Sequence, residues 1–342
     1  MPKGCKLCLK GEKLVLFMTG KCSRNCPYCS LSNNRKKSRT IYANERPCKS
    51  TKDVIKEVIE NNAKGAGITG GDPLIDLNTT TRYARALKKK FGKSFHIHIY
   101  LPTNLVTENK LKKLSKYIDE VRFHPKFLQE ETNSTKTFSQ DIEKIKIASK
   151  IFKKQNTGLE MPAIPEKKNQ IIDFINQALH YIGFVNLNEL EISETNFKNF
   201  SKKYNVTNNT HSIEGSKKSA LEILRKLKQT KIKVHLCTAR TKDVYQYNNR
   251  LLKHNIFPFG HRQKDGSVIY FAIYEKQNLF LSKIISGIRH LGIKNFYADK
   301  PRKRILLSDK ILEDILAEDK FRVARVLEHP TYDKTVLEFW EA

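Results

Sequence analysis

The chain has 342 residues, enough for more than one domain or for a single α/β barrel. Its residues are 39% apolar and 29% charged, and it holds no apolar run of about 18 residues, so the sequence can build a core and offers no helical membrane span. Lys and Arg outnumber Asp and Glu by 64 to 35, an excess of 29 positive charges that points to a polyanionic partner and suits a phosphate backbone.

The opening "MPKGCKLCLKGEK" carries no apolar signal core, and a cytoplasmic protein without a membrane partner is expected. An odd count of 7 cysteines in such a compartment argues against a disulfide framework and toward metal. From residue 13, short runs of strand length alternate with helical stretches: "KLVLFMTG", "GAGITGG", "FHIHIYLPT", "DEVRFHP", "GLEMPAIP" and "LNELEIS". Between the first two, "TKDVIKEVIENNA" starts behind Ser50 with Asp53 three residues on, and Val54, Ile55, Val58 and Ile59 form one apolar face. Later helical stretches close on Gly92 and Gly183, the expected stop. Six strand–helix repeats predict parallel strands with helical crossovers, as a partial (β/α)6 barrel or a doubly wound sheet, with the ligand at the C-terminal strand ends. The polar stretch "NFKNFSKKYNVTNNTHSIEG" reads as a linker or substrate loop. It divides the expectation into an N-terminal CxxC segment over 1–12, a barrel over 13–200, and a smaller α/β appendage over 201–342. The appendage takes in "KVHLC", the helix "TKDVYQYNNRLLKHN", "SVIYFAIY", a helix near 277–291, "RILLS", a short helix and "FRVARVLEH".

"CSRNCPYCS" places Cys22, Cys26 and Cys29 just after the first strand. Zinc usually takes four ligands from two knuckles, whereas here three thiolates come from one loop. A 4Fe–4S cluster can take three cysteines and leave one iron open. CxxxCxxC at this place, with Tyr28 before the third cysteine, resembles the radical S-adenosylmethionine (radical SAM) superfamily. The likeness spans about residues 13–195, and looser similarity extends to archaeal proteins grouped with glycyl-radical-enzyme activases. It implies a partial barrel, and a cluster whose open iron chelates the methionine end of S-adenosylmethionine. It also implies an electron donor such as ferredoxin or flavodoxin, and reductive cleavage giving a 5′-deoxyadenosyl radical that abstracts a hydrogen atom. "TGGDPL" resembles the GGE-type motif of the superfamily, so Gly70, Gly71 and Asp72 would meet the methionine amino group, with Asp where Glu is more usual. By position, Arg122, Glu160, Glu189, Glu191 and Ser193 are candidates for the methionine carboxylate, the ribose or the substrate.

Cys5 and Cys8 in "CKLC", with Cys237 as a distant ligand, are candidates for a second site holding zinc or another iron–sulfur cluster; His235 is an alternative ligand, and Cys48 stands alone. Arg240, Lys242 and Arg250, interleaved with tyrosines, suit phosphate contacts and base stacking. So do Lys300, Arg302, Lys303 and Arg304 in "YADKPRKR". The expected function is radical SAM modification of a structured RNA, with tRNA foremost. The alternatives are an activase that makes a radical on a partner protein, and an iron–sulfur or zinc protein that binds nucleic acid without catalysis.

Overall fold

The computed structural model describes residues 1–130, 135–208, 210–275, 279–311, 315 and 321–341. The chain forms two compact units, Met1–Ile59 with Ala63–Tyr247, and Glu60–Asn62 with Asn248–Ala342.

The first unit opens with helix α1 (Lys3–Leu9) and strand β1 (Lys13–Phe17). A hairpin of β2 (Ile41–Ala43) and β3 (Arg46–Cys48) follows, turning at Asn44 in the left-handed region. Then come α2 (Thr51–Glu60), β4 (Gly65–Thr69), α3 (Leu77–Phe91), β5 (His96–Pro102), α4 (Glu108–Leu114) and β6 (Glu120–His124). The unit continues with α5 (Thr135–Phe152), β7 (Thr157–Pro162), α6 (Lys168–Ala178), β8 (Phe184–Asn188), the short α7 (Phe197–Phe200), α8 (Ser216–Lys226) and β9 (Lys233–Cys237). The sheet order is β3-β2-β1-β4-β5-β6-β7-β8-β9, with every pairing from β1 onward parallel. Seven parallel strands joined by six crossovers are thus present.

Alternation along the strands divides the two faces of the sheet. Leu14, Leu16, Ala66, Ile68, Ile97, Ile99, Val121, Phe123, Leu159, Met161, Val185 and Leu187 are buried in the main apolar core. Their strand neighbours Lys13, Gly67, Tyr100, Arg122, Glu160, Asn186 and His235 all line one cavity. A sheet whose seven strands share one cavity is curled, as the partial barrel requires. Helix α1 packs on β1, β4 and β5 and on the π-helical stretch Thr241–Tyr247 that follows β9, so it bridges the open seam. Gly4 makes this approach feasible: a Cβ there would lie 2.6 Å from His98 Nδ1 and 2.7 Å from Arg122 Nη2.

The expected boundary at 200/201 moves to 247/248. "KVHLC" pairs in parallel with β8 and completes the first sheet instead of seeding the appendage. The expected N-terminal segment 1–12 also belongs to the first unit, as α1.

The second unit contains α9 (Asn248–Lys253), β10 (His261–Arg262), β11 (Val268–Tyr274), α10 (Leu281–His290), β12 (Tyr297–Asp299), β13 (Arg304–Leu307), β14 (Arg322–Glu328) and β15 (Val336–Glu341). Its sheet is antiparallel, in the order β12-β13-β11-β14-β15, with β10 on β11. α10 supplies Ile284 and Ile288 against Ile273, Ile305 and Val323. The short helix expected after "RILLS" falls largely outside the described residues. No helix among the described residues is long and apolar enough to cross a membrane.

Arg304, expected at a phosphate-binding loop, is only 1% exposed. It donates to Asp299 at 2.8 Å and to both oxygens of Glu328 at 2.8 and 2.9 Å. A guanidinium closed by two buried carboxylates holds the sheet together and is too buried to meet RNA. Arg304→Ala should therefore destabilise the second unit by about 3–5 kcal/mol, because it strands both carboxylates. Urea unfolding of the full chain measures this, and a loss below about 1 kcal/mol would contradict it.

Candidate functional site

The cysteine loop begins where β1 ends. Cys22, Cys26 and Cys29 all line the cavity, whose volume of about 650 Å³ suits a cofactor pocket, together with Tyr28, Gly70 and Gly71. The loop is fastened from three sides. Arg24 donates to Asn104 Oδ1 at 2.8 Å, to the His124 carbonyl at 2.7 Å and to Thr103 Oγ1 at 2.5 Å, which ties the loop to the ends of β5 and β6. From the stretch after β8, Thr195 donates to the Cys29 carbonyl at 2.9 Å, Asn196 to the Tyr28 carbonyl at 3.4 Å and Asn199 to the Pro27 carbonyl at 2.8 Å. Ser23 donates to Asp72 at 2.9 Å.

The third fastening is backbone to backbone. Gly71 N–H donates to the Thr19 carbonyl at 2.6 Å and Asp72 N–H to the Lys21 carbonyl at 2.8 Å. Gly70 adopts φ +143°, and a Cβ on it would stand 2.5 Å from the Thr19 oxygen. A Cβ on Gly71 would stand 2.2 Å from the Lys21 oxygen. Both glycines are therefore required by contact with the cysteine loop, in addition to any ligand they face. Asp72 does not line the cavity: its carboxylate, fully buried, accepts from Ser23 and from Leu74 N–H, and burial raises its pKa. Its side chain braces the loop instead of reaching an amino group.

Tyr28 packs beside His124, its hydroxyl 2.7 Å from Nε2, while Nδ1 lies 3.0 Å from the Glu160 carbonyl. A carbonyl only accepts, so Nδ1 carries the proton and the Tyr28 hydroxyl donates to Nε2. Burial, aided by Arg24, lowers the His124 pKa to about 4 and keeps the ring neutral. Burial also raises the Cys22 and Cys26 thiols, so thiolate formation rests on bound iron.

Arg122 is 1% exposed and already occupied. It holds Glu120 through Nε at 2.7 Å, Glu160 through Nη1 at 3.0 Å and the Cys5 sulfur at 3.3 Å, with the Tyr100 and Phe184 ring centroids 5.5 and 5.4 Å from its guanidinium carbon. Two carboxylates pair with it, so it acts as a strut between β6 and β7, while its Nη2 is buried without a hydrogen-bond partner. Glu160 lines the cavity and also accepts from Asn186 at 2.5 Å and Asn188 at 2.7 Å. β8 ends at Asn188, so Glu189, Glu191 and Ser193 lie on the following loop. Glu189 accepts from Ala239 N–H at 2.9 Å, and Glu191 pairs with Lys242 at 2.5 Å; both line the cavity. Ser193 does not: its amide and hydroxyl bond to Asn196 and Thr195, building the clamp on the cysteine loop.

Cys5 and Cys8 stand one helical turn apart on α1, and both line the cavity, as does Cys237. Cys8 donates to Gln246 Oε1 at 2.8 Å, Gln246 donates to the Cys237 sulfur at 3.2 Å, and Cys5 lies 3.7 Å from Asn186 Oδ1. Tetrahedral zinc with bonds of about 2.3 Å brings sulfurs to about 3.8 Å of one another. Among the described residues these three do not gather within 4.8 Å, so no single-ion site is preformed there. The Cys22, Cys26 and Cys29 sulfurs are likewise spread beyond that limit, as suits a cluster that gives each cysteine its own iron.

Of the basic candidates, Arg240, Lys300 and Lys303 are exposed, Arg250 is half-buried and Lys242 pairs with Glu191. Arg302 donates to Asp299 at 3.5 Å and to the Tyr332 carbonyl at 3.2 Å. The sequence reading missed Lys13, Arg24, Asn186, Asn188, Gln246 and the 194–199 clamp. Strand alternation was the available signal for Lys13, Asn186 and Asn188.

The sequence model of the Radical SAM superfamily matches residues 16–178. A protein of Methanocaldococcus jannaschii named "Putative glycyl-radical enzyme activating enzyme MJ0021" is 35% identical over 329 residues, covering 94% of this chain and 85% of its own. Among solved structures, the radical S-adenosylmethionine methyltransferase TsrM of Kitasatospora setae aligns with 54% of this chain and 37% of its own, at 10% identity and a TM-score of 0.36. Lysine/ornithine decarboxylase of Vibrio vulnificus aligns with 85% and 69%, at 11% identity and a TM-score of 0.32. Likenesses so slight carry no argument.

Gly71→Ala should push the Lys21 carbonyl away and disturb the cysteine loop. S-adenosylmethionine binding is expected to weaken about tenfold, about 1.4 kcal/mol, with a parallel fall in bound iron. Calorimetry and iron analysis measure both, and wild-type values for both would contradict the clasp.

Proposed function

The chain belongs to the Radical SAM superfamily, and on that premise we propose that it is an activating enzyme that generates a radical on a partner protein. Its cofactors are a 4Fe–4S cluster and S-adenosylmethionine, which supply the one-electron chemistry that removes a hydrogen atom. The residues fit that cargo: three thiols from one loop face the cavity, and the Gly70–Gly71 backbone lies alongside them without side chains. One electron and one S-adenosylmethionine enter. Methionine and 5′-deoxyadenosine leave, and the substrate is short of one hydrogen atom. The electron comes from a donor of the ferredoxin or flavodoxin class.

The observation that carries the reading is the 35% identity to a protein named as an activating enzyme, because it runs through 94% of the chain and so through both units. The net charge of +29 suits an acidic partner. A structured RNA, tRNA foremost, is the second reading, favoured by the same charge and by the exposed Arg240, Lys300 and Lys303. Burial of Arg304 removes one of its contacts.

The test is to incubate the reconstituted, reduced protein and S-adenosylmethionine with extract from its source, one portion treated with ribonuclease and one with protease. Electron paramagnetic resonance of frozen samples should show a carbon-centred radical that survives ribonuclease and is lost with protease. A new modified nucleoside in tRNA, with no protein radical, would establish the RNA reading instead.

A further inference from the structure

We propose that the cavity has a second recognition point at its floor, a carboxylate subsite formed by Lys13 and Tyr100. It would hold an acidic group of the substrate segment while the cluster end does the chemistry. The proposal adds a substrate class to the activating-enzyme reading and rests on that reading only for the word substrate.

Lys13 begins β1 and Phe17 ends it. At about 3.3 Å per residue, Lys13 lies roughly 13 Å below the strand end from which the cysteine loop departs. It lines the cavity beside Cys8 and Tyr100. The other charged groups in the middle of the cavity are already matched: Glu160 with Arg122 and Glu191 with Lys242, while Glu189 is held by a backbone N–H. Among the described residues no carboxylate pairs with Lys13; its neighbours are the Cys8 thiol and the Tyr100 phenol. Half-buried on the cavity wall with no carboxylate partner among the described residues, this ammonium is placed to pair with an incoming anion.

Tyr100 supplies the second donor. Its hydroxyl lies 3.1 Å from His98 Nε2, and His98 Nδ1 is buried with no hydrogen-bond partner. A buried N–H without an acceptor is rarer than a bare acceptor, so the proton sits on Nε2 and is donated to the Tyr100 oxygen. The phenolic proton of Tyr100 is then free to donate into the cavity it lines. One ammonium and one hydroxyl match the two oxygens of a carboxylate. Arg122, the other cation beside Tyr100, is paired with Glu120 and Glu160, so Lys13 is left to balance a monoanion, whereas a phosphate dianion would leave a negative charge unmatched.

The test uses the full-length, iron-loaded protein without reductant, with acetate as probe and acetamide and inorganic phosphate as controls. Binding is read by thermal shift and by the signal of ¹³C-labelled Lys13. Acetate should bind in preference to both controls. Lys13→Met and the near-isosteric Tyr100→Phe should each weaken it about tenfold. Glycine-containing peptides ending in a free carboxylate or an amide, with and without a Glu side chain, distinguish a chain terminus from an acidic side chain as the source. Equal acetate binding by wild type and both variants, or acetamide or phosphate binding as tightly as acetate, would overturn the subsite. No arm involves cofactor cleavage or a partner, so absence of a protein radical would leave this result intact, and failure here would leave the activating-enzyme reading intact.

Discussion

Two backbone hydrogen bonds, from Gly71 to the Thr19 carbonyl and from Asp72 to the Lys21 carbonyl, join the cysteine loop to the loop after β4. They put sulfur donors and an uncluttered strip of backbone on one wall of the cavity. A contact so close admits no side chain at either glycine. The same clasp explains why Asp72 is buried: its carboxylate caps the turn and takes Ser23 from the opposite loop. Arg24 and the 194–199 stretch then fix the far side of the cysteine loop, so its three cysteines are set by contacts with β5, β6 and the segment after β8.

Below this clasp the barrel interior is polar. An ordinary α/β barrel fills its centre with branched apolar side chains. Here the inward positions carry Lys13, His98, Tyr100, Arg122, Glu160 and Asn186, arranged so that most charges meet a partner. Arg122 lies between Glu120 and Glu160, and α1 is pressed against it through Gly4. Pre-set donors and acceptors in a water-poor space orient a ligand without rearranging, which matters when a reactive species must meet one hydrogen atom and no other.

Much of this was legible in the sequence, and the failures have physical causes. The parallel strands were readable because each alternates apolar and polar residues or runs apolar outright. The hairpin at 41–48 escaped because its strands have three residues each, too short for a period. "KVHLC" was readable as a strand but not as the seventh of the first sheet, since its partner is set by long-range pairing with β8. The polar stretch near 200 resembled a linker because its side chains bond to the cysteine loop instead of packing. Arg304 sat in a basic run that reads as surface, and only the strand register reveals Glu328 beside it. Cys5 and Cys8 looked like a metal knuckle, yet a helix separates them by one turn and α1 presses them onto Arg122 and Gln246.

The central claim is that Cys22, Cys26 and Cys29 hold the cluster that cleaves S-adenosylmethionine in this cavity. The direct measurement is 5′-deoxyadenosine formed after dithionite reduction, comparing wild type with the variant in which all three are Ala. The account predicts that wild type forms it and the variant does not. Undiminished formation by the variant would contradict the account.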